Sequence, residues 1–199
     1  MKTLLIGGAP CAGKSFVAKE LAERFNTTWK STDELRDHFR DNPNRLGHHY
    51  PYLFASKDVT AEEFWKNRKP IDVLRGEVEE ARELWPWLQK VVEKNSYGIL
   101  EGVSILPELV RKTYGTSKTA LFLIDTDRER VRQIIQTRGL WDEAHTYADW
   151  IKPLELEWVM LHTAWLRSET QRYGFPLIEV GNRSALMQRV MASLPLSTD

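Results

Sequence analysis

Hydrophobic and polar positions alternate between two rhythms along this chain. Short apolar runs read as buried strands, and longer stretches with an apolar residue every third or fourth position read as amphipathic helices. Strands are predicted at 3–6, near 28–32, and at 97–101, 119–125 and 176–180, the last stopped by Gly181. Helices fall between them, ending with one over 184–194. This βαβα order predicts an α/β fold of three layers, a parallel sheet with helices on both faces. In such a sheet ligands bind beyond the carboxyl ends of the strands.

Two segments are longer than a simple crossover needs. Residues 34–95 are charged and mostly helical, with an apolar stripe of Val78, Ala81, Leu84, Leu88 and Val91 that is kinked or split at Pro86. Residues 139–173 place Trp150, Leu154, Trp158, Leu161 and Trp165 on one helical face. Core packing accounts for most of these tryptophans. One or two can line a pocket, because each segment follows a strand end.

Between the first strand and the first helix runs GGAPCAGKS, which contains Gly8-x-x-x-x-Gly13-Lys14-Ser15. This is a full P-loop pattern. Small residues let the backbone of Gly8, Ala9, Pro10, Cys11, Ala12 and Gly13 turn its N–H groups toward a phosphate chain. The helix that starts near Phe16 adds its N-terminal partial positive charge. Lys14 reaches the terminal phosphates of a nucleotide such as ATP, and the Ser15 hydroxyl suits Mg²⁺. A secretory signal is the competing interpretation of this amino terminus. The apolar run is too short for the ~7–15-residue core of a signal peptide, and glycines and Pro10 interrupt it.

Composition narrows the remaining classes. The 199 residues make one domain able to bury roughly 70% of its unfolded surface. Lys+Arg and Asp+Glu balance at 28 each, so no net field recruits nucleic acid or an anionic membrane. No apolar run approaches the ~20 residues that span a bilayer. The one cysteine, Cys11, leaves no intrachain disulfide and fits a reducing, cytoplasmic setting.

Further candidates lie at strand ends. In STDELR, Asp33 is a carboxylate able to orient a hydroxyl and take its proton, and the Arg36 fork suits an anion; alternatively Thr32 or Asp33 caps a helix. An acid that assists Mg²⁺ is contested between Glu101, in ILEG before Gly102, and Asp125, in LFLID. Arg128, Arg132 and Arg138 lie on the next helix, where the first two can instead pair with carboxylates such as Glu129. His48 and His49, beside Tyr50, do not share a face of a helix or strand and are poor metal ligands.

Strand–P-loop–helix, STDELR after the second strand, ILEG ending the third and the arginine-rich helix after the fourth together resemble the P-loop small-molecule kinases. These include nucleoside-monophosphate, shikimate, gluconate and 2-phosphoglycerate-type kinases. The resemblance implies a five-stranded parallel sheet in the order 2-3-1-4-5, an acceptor-binding segment within 34–95 and a lid over about 138–150. It implies ATP and Mg²⁺ as cofactors and a small-molecule acceptor as partner. It places Asp33, Arg36, Glu101 and Gly102 at the acceptor, and Arg132, Gly181 and Asn182 near the nucleotide base. It makes Arg138 a clamp on the moving phosphoryl group and favours Glu101 on the magnesium side.

The expected activity is therefore transfer of the ATP γ-phosphoryl group to a hydroxyl of a small metabolite. Arg36, Arg40 and Arg45 suggest that this acceptor is anionic. A nucleoside-monophosphate kinase, and an ATPase or regulatory nucleotide-binding module without an acceptor, are the alternatives. A GTP-dependent switch would need Asn-Lys-x-Asp and Asp-x-x-Gly motifs, and the chain has neither suitably placed.

Overall fold

A computed structural model describes residues 3–41, 50–94, 96–116, 119–141 and 143–194. Five parallel strands form one sheet: β1 (Leu4–Gly8), β2 (Trp29–Ser31), β3 (Ile99–Gly102), β4 (Ala120–Ile124) and β5 (Leu177–Glu179). Their order is β2-β3-β1-β4-β5, as the resemblance implies. The three middle strands, β3, β1 and β4, are buried along their whole length, as expected for strands covered on both faces. Ile6 pairs in register with Glu101, and Ser31 pairs with Glu101 from the other side. Three strand ends therefore stop at one level, directly beside the P-loop.

The helices are α1 (Lys14–Arg24), α2 (Thr32–Arg40), α3 (Ala61–Trp65), α4 (Pro70–Glu93), α5 (Pro107–Tyr114), α6 (Arg128–Arg138), α7 (Ile151–Tyr173) and α8 (Arg183–Ser193). One apolar layer joins α1 and α8 to one face of the sheet through Val17, Leu21, Leu186 and Val190. The other face carries Leu84, Leu88, Val110 and Leu166 from α4, α5 and α7. No helix among the described residues is long and apolar enough to cross a membrane.

Three expectations need correction. The α4 helix continues through Pro86 as one 24-residue element rather than splitting. The proline lies on its exposed side, while Ala81, Leu84, Trp85, Leu88 and Val92 hold the opposite side in the core. On α7 the fully buried residues are Ile151, Glu155, Leu156, Val159, His162, Thr163, Leu166 and Thr170; of the expected stripe Leu154, Trp158 and Trp165 are half-buried against the core, while Trp150 is 49% exposed. The cap of α2 is Ser31, whose side chain accepts from the Asp33 backbone N–H at 3.2 Å, so Thr32 and Asp33 belong to its first turn.

Candidate active site

The P-loop forms where β1 runs out of sheet. Cys11 and Gly13 both take left-handed backbone angles, φ +64° and +74°. Only glycine adopts that region without a steric penalty, which suits Gly13 as the residue immediately before α1. Lys14 opens the helix, buried, with its Nζ donating to the Ala9 carbonyl at 2.9 Å. Burial lowers its affinity for a proton, and the negative charges of Glu101 and Asp33 act the other way. Phe16 is exposed at 43% on the first turn of α1.

The Ser15 Oγ donates to Glu101 Oε1 at 2.9 Å. Burial pushes the Glu101 carboxyl up, and Lys14 and the Ser15 hydroxyl pull it back down. A hydroxyl and a carboxylate at this separation are hard oxygen donors of the type Mg²⁺ takes alongside phosphate oxygens and water. Gly102 follows with its backbone pressed against Thr32: a Cβ built there would meet Thr32 Oγ1 at 1.6 Å. Asp125 lies in a different setting. It is buried, accepts from the Asp127 N–H at 2.9 Å, and is held by Arg130, with Nε to Oδ2 at 2.6 Å. The helix cap of α6 is Asp127, whose side chain accepts from the Arg130 backbone N–H at 3.0 Å.

Asp33 lies on the first turn of α2, close enough to bias both Lys14 and Glu101. Its Oδ1 is enclosed and makes no hydrogen bond among the described residues, with Arg36 Nη1 3.6 Å away. Arg36 also faces Asp37 and Glu80, each at 3.3 Å. Arg40 is buried and fully engaged: Nε on the Leu53 carbonyl at 2.6 Å, Nη2 on Ser56 Oγ at 3.0 Å and Glu80 Oε2 at 3.4 Å. Burial pushes Glu80 up to about 7 against the pull of both guanidiniums. Two of the three arginines that suggested an anionic acceptor, Arg36 and Arg40, are thus paired within the protein. Arg45, His48 and His49 lie outside the described residues.

Arg138 ends α6, exposed, with Nε 3.4 Å from the Gly139 carbonyl, and its charge reaches Cys11. Burial raises the Cys11 thiol above its ordinary value; Arg138 and Lys14 oppose that rise without cancelling it. That burial comes from packing of Cys11 against Val131, Ile135, Leu156 and Val159. Arg132 is exposed and paired with Glu129 at 2.7 Å. Gly181 adopts φ +46°, and the adjoining turn is tied by Arg189 Nη2 to the Val180 carbonyl at 2.5 Å and the Asn182 carbonyl at 3.3 Å. Among the described residues no cluster of three or more His, Cys, Asp or Glu could hold a metal ion.

Beside Arg36 opens a cavity of about 670 Å³. Helices α2, α3, α4 and α7, the turns at 51–56 and the α6–α7 connection supply its walls, including Trp65, Arg68, Glu77, Glu80, Trp141 and Trp158. Arg36, which lines the cavity, lies 3.6 Å from Asp33 on the first turn of α2. Sequence reasoning missed Glu77, Glu80, Arg68 and Arg130. On a helical wheel Glu77 and Glu80 read as a solvated face, and only the packing of α2 and α7 onto α4 encloses them.

A P-loop ahead of α1 and a five-stranded parallel sheet in this order define the fold of the P-loop small-molecule kinases. The chain is similar in structure to shikimate kinase from Bacteroides thetaiotaomicron, with TM-score 0.55 and 12% identity over 96% of this chain and 94% of that one. It is similar to a gluconokinase from Sinorhizobium meliloti 1021, with TM-score 0.53 and 12% identity over 96% and 90%. It is also similar to deoxyadenosine kinase from M. mycoides, solved with bound dATP, with TM-score 0.51 and 11% identity over 96% and 98%. No protein-family model and no curated protein sequence matches the chain.

Proposed function

We propose that this protein is an ATP- and Mg²⁺-dependent phosphotransferase that moves the γ-phosphoryl group to a hydroxyl of a small-molecule acceptor. The observation that carries this reading is the convergence of four side chains at the strand ends. Ser15 is hydrogen-bonded to Glu101, and both Glu101 and Asp33 exert their charge on Lys14. The fold shared with shikimate kinase, gluconokinase and deoxyadenosine kinase supports it.

In this reading the P-loop amides and Lys14 bind the phosphate chain and neutralise charge as it shifts toward the leaving group. Ser15 and Glu101 would hold Mg²⁺, which supplies further charge neutralisation when bound. Asp33 orients the acceptor hydroxyl and receives its proton at the carboxylate, whose charge is felt at both Lys14 and Glu101. Arg138 approaches the phosphates from the segment over about 138–150, which acts as a lid. The domain is single, with the acceptor bound within 34–95.

The test is ADP release from MgATP, measured with and without a panel of hydroxylated metabolites. Dependence on an acceptor supports phosphotransfer to a small molecule. Equal release without any acceptor identifies an ATPase and overturns this reading, and preferential transfer to nucleoside monophosphates overturns the hydroxyl assignment.

A further inference from the structure

Resting on that reading, we infer that Glu62, on α3, is a positioning residue for Arg138: it holds the 139–150 segment so that the guanidinium stays beside the P-loop. Arg138 needs such support. It is exposed, and its side chain makes one long hydrogen bond, from Nε to the Gly139 carbonyl at 3.4 Å. No carboxylate among the described residues pairs with it. Its charge nonetheless reaches Cys11 in the phosphate loop. The place of this guanidinium therefore depends on the backbone that follows it.

That backbone is folded onto itself and then onto two helices. The Ala144 N–H donates to the Arg138 carbonyl at 3.0 Å, and the Leu140 N–H donates to the Tyr147 hydroxyl at 3.1 Å. Tyr147 is buried and donates in turn to Glu155 Oε2 on α7 at 2.8 Å. Next to it, the Ala148 N–H donates to Glu62 Oε1 at 2.9 Å, which ties the segment to α3. Glu62 forms no ion pair among the described residues, so its carboxylate serves this backbone group. Apolar contacts accompany the bond: Trp65, Val73, Tyr147 and Ile151 share one buried cluster. Phe64 and Trp141 pack against that cluster with their rings tilted, centroids 4.6 Å apart. Apolar packing is non-directional, whereas a carboxylate oxygen on a backbone N–H fixes where the segment sits along α3. Because α3 also supplies Phe64 and Trp65 to the cavity wall, the same bond sets Arg138 relative to the cavity.

The test compares MgADP plus aluminium fluoride, a mimic of the phosphoryl group in transfer, with MgADP alone. Binding is followed by tryptophan fluorescence. A clamp that tightens in the transition state strengthens the first complex and leaves the second nearly untouched. Arg138→Ala should weaken the fluoride complex by about tenfold or more, with MgADP affinity little changed. Glu62→Ala should weaken it in the same selective way, by about three- to tenfold. Glu62→Gln keeps the accepting oxygen and should restore affinity to within about twofold. In the Arg138→Ala background Glu62→Ala should add nothing, since a residue that acts through Arg138 has no effect once Arg138 is gone. The inference is overturned by an unchanged fluoride complex in Glu62→Ala or Arg138→Ala, or by an equal loss of MgADP. Failure of Glu62→Gln to restore binding, or additive losses in the double variant, overturns it as well. In each of these cases MgADP binding by the unaltered protein still upholds the nucleotide site. No MgADP binding by the unaltered protein removes the phosphotransferase reading, and the inference with it.

Discussion

Ser15 Oγ donates to Glu101 Oε1 at 2.9 Å, joining the first turn of α1 to the end of β3. Residues 86 positions apart are thus held as one oxygen-donor pair. Glu101→Gln keeps the shape and a hydrogen-bonding oxygen but removes the charge a divalent cation needs. The Mg²⁺ concentration for half-maximal ADP release should rise by about tenfold or more, with the thermal midpoint little changed. An unchanged Mg²⁺ requirement would exclude Glu101 from the metal's surroundings.

Lys14→Ala should leave the fold intact and reduce transfer by roughly 10²–10³-fold, the scale of losing a preorganised charge on the transition state. The substitution also takes a neighbouring positive charge from the buried Glu101, so the fold is checked beside the rate. Circular dichroism beside initial rates separates the two effects. Near-normal turnover by the folded variant defeats the P-loop assignment.

Asp33→Asn should keep MgATP affinity within a few-fold while reducing transfer to a hydroxyl by about 10²-fold or more, the usual scale for lost acid–base help. A nucleoside monophosphate attacks through an oxygen already largely deprotonated near neutral pH and needs no such base. A fully active Asp33→Asn protein that phosphorylates a nucleoside monophosphate would replace the hydroxyl reading.

Arg138→Ala should lower kcat more than it raises the KM for ATP, because a clamp on the moving phosphoryl group tightens in the transition state. Steady-state rates across ATP concentrations decide this. An unchanged kcat leaves Arg138 as a solvated residue at the end of α6.

Cys11 should react slowly with iodoacetamide at neutral pH and faster as pH rises, because burial raises its thiol and only the thiolate attacks. Saturating MgATP should slow the reaction further if the phosphates cover the loop. Equal labelling with and without MgATP would place the thiol away from the nucleotide.

Much of this protein is legible locally. The P-loop is contiguous, and its glycines, lysine and serine act within one turn of chain, so spacing alone identifies them. Strand positions followed from apolar runs because β1, β3 and β4 are covered on both faces and admit few polar residues. Boundaries were less legible at α2, where Ser31, Thr32 and Asp33 are all competent caps and local preference does not choose among them.

Local sequence suffices for the phosphate loop, the α/β alternation and the acidic and basic residues at the strand ends, since each depends on neighbours within a few positions. Tertiary structure alone decided which acid meets Ser15: β3 lies beside β1, so Glu101 reaches it, while Asp125 is held by Arg130. It alone turned the charged face of α4 into a cavity wall and engaged Arg36 and Arg40 with Glu80. Contacts between residues 40 and 44 positions apart depend on how helices pack, and hydrophobic periodicity records which side of a helix is buried but not what covers the other side.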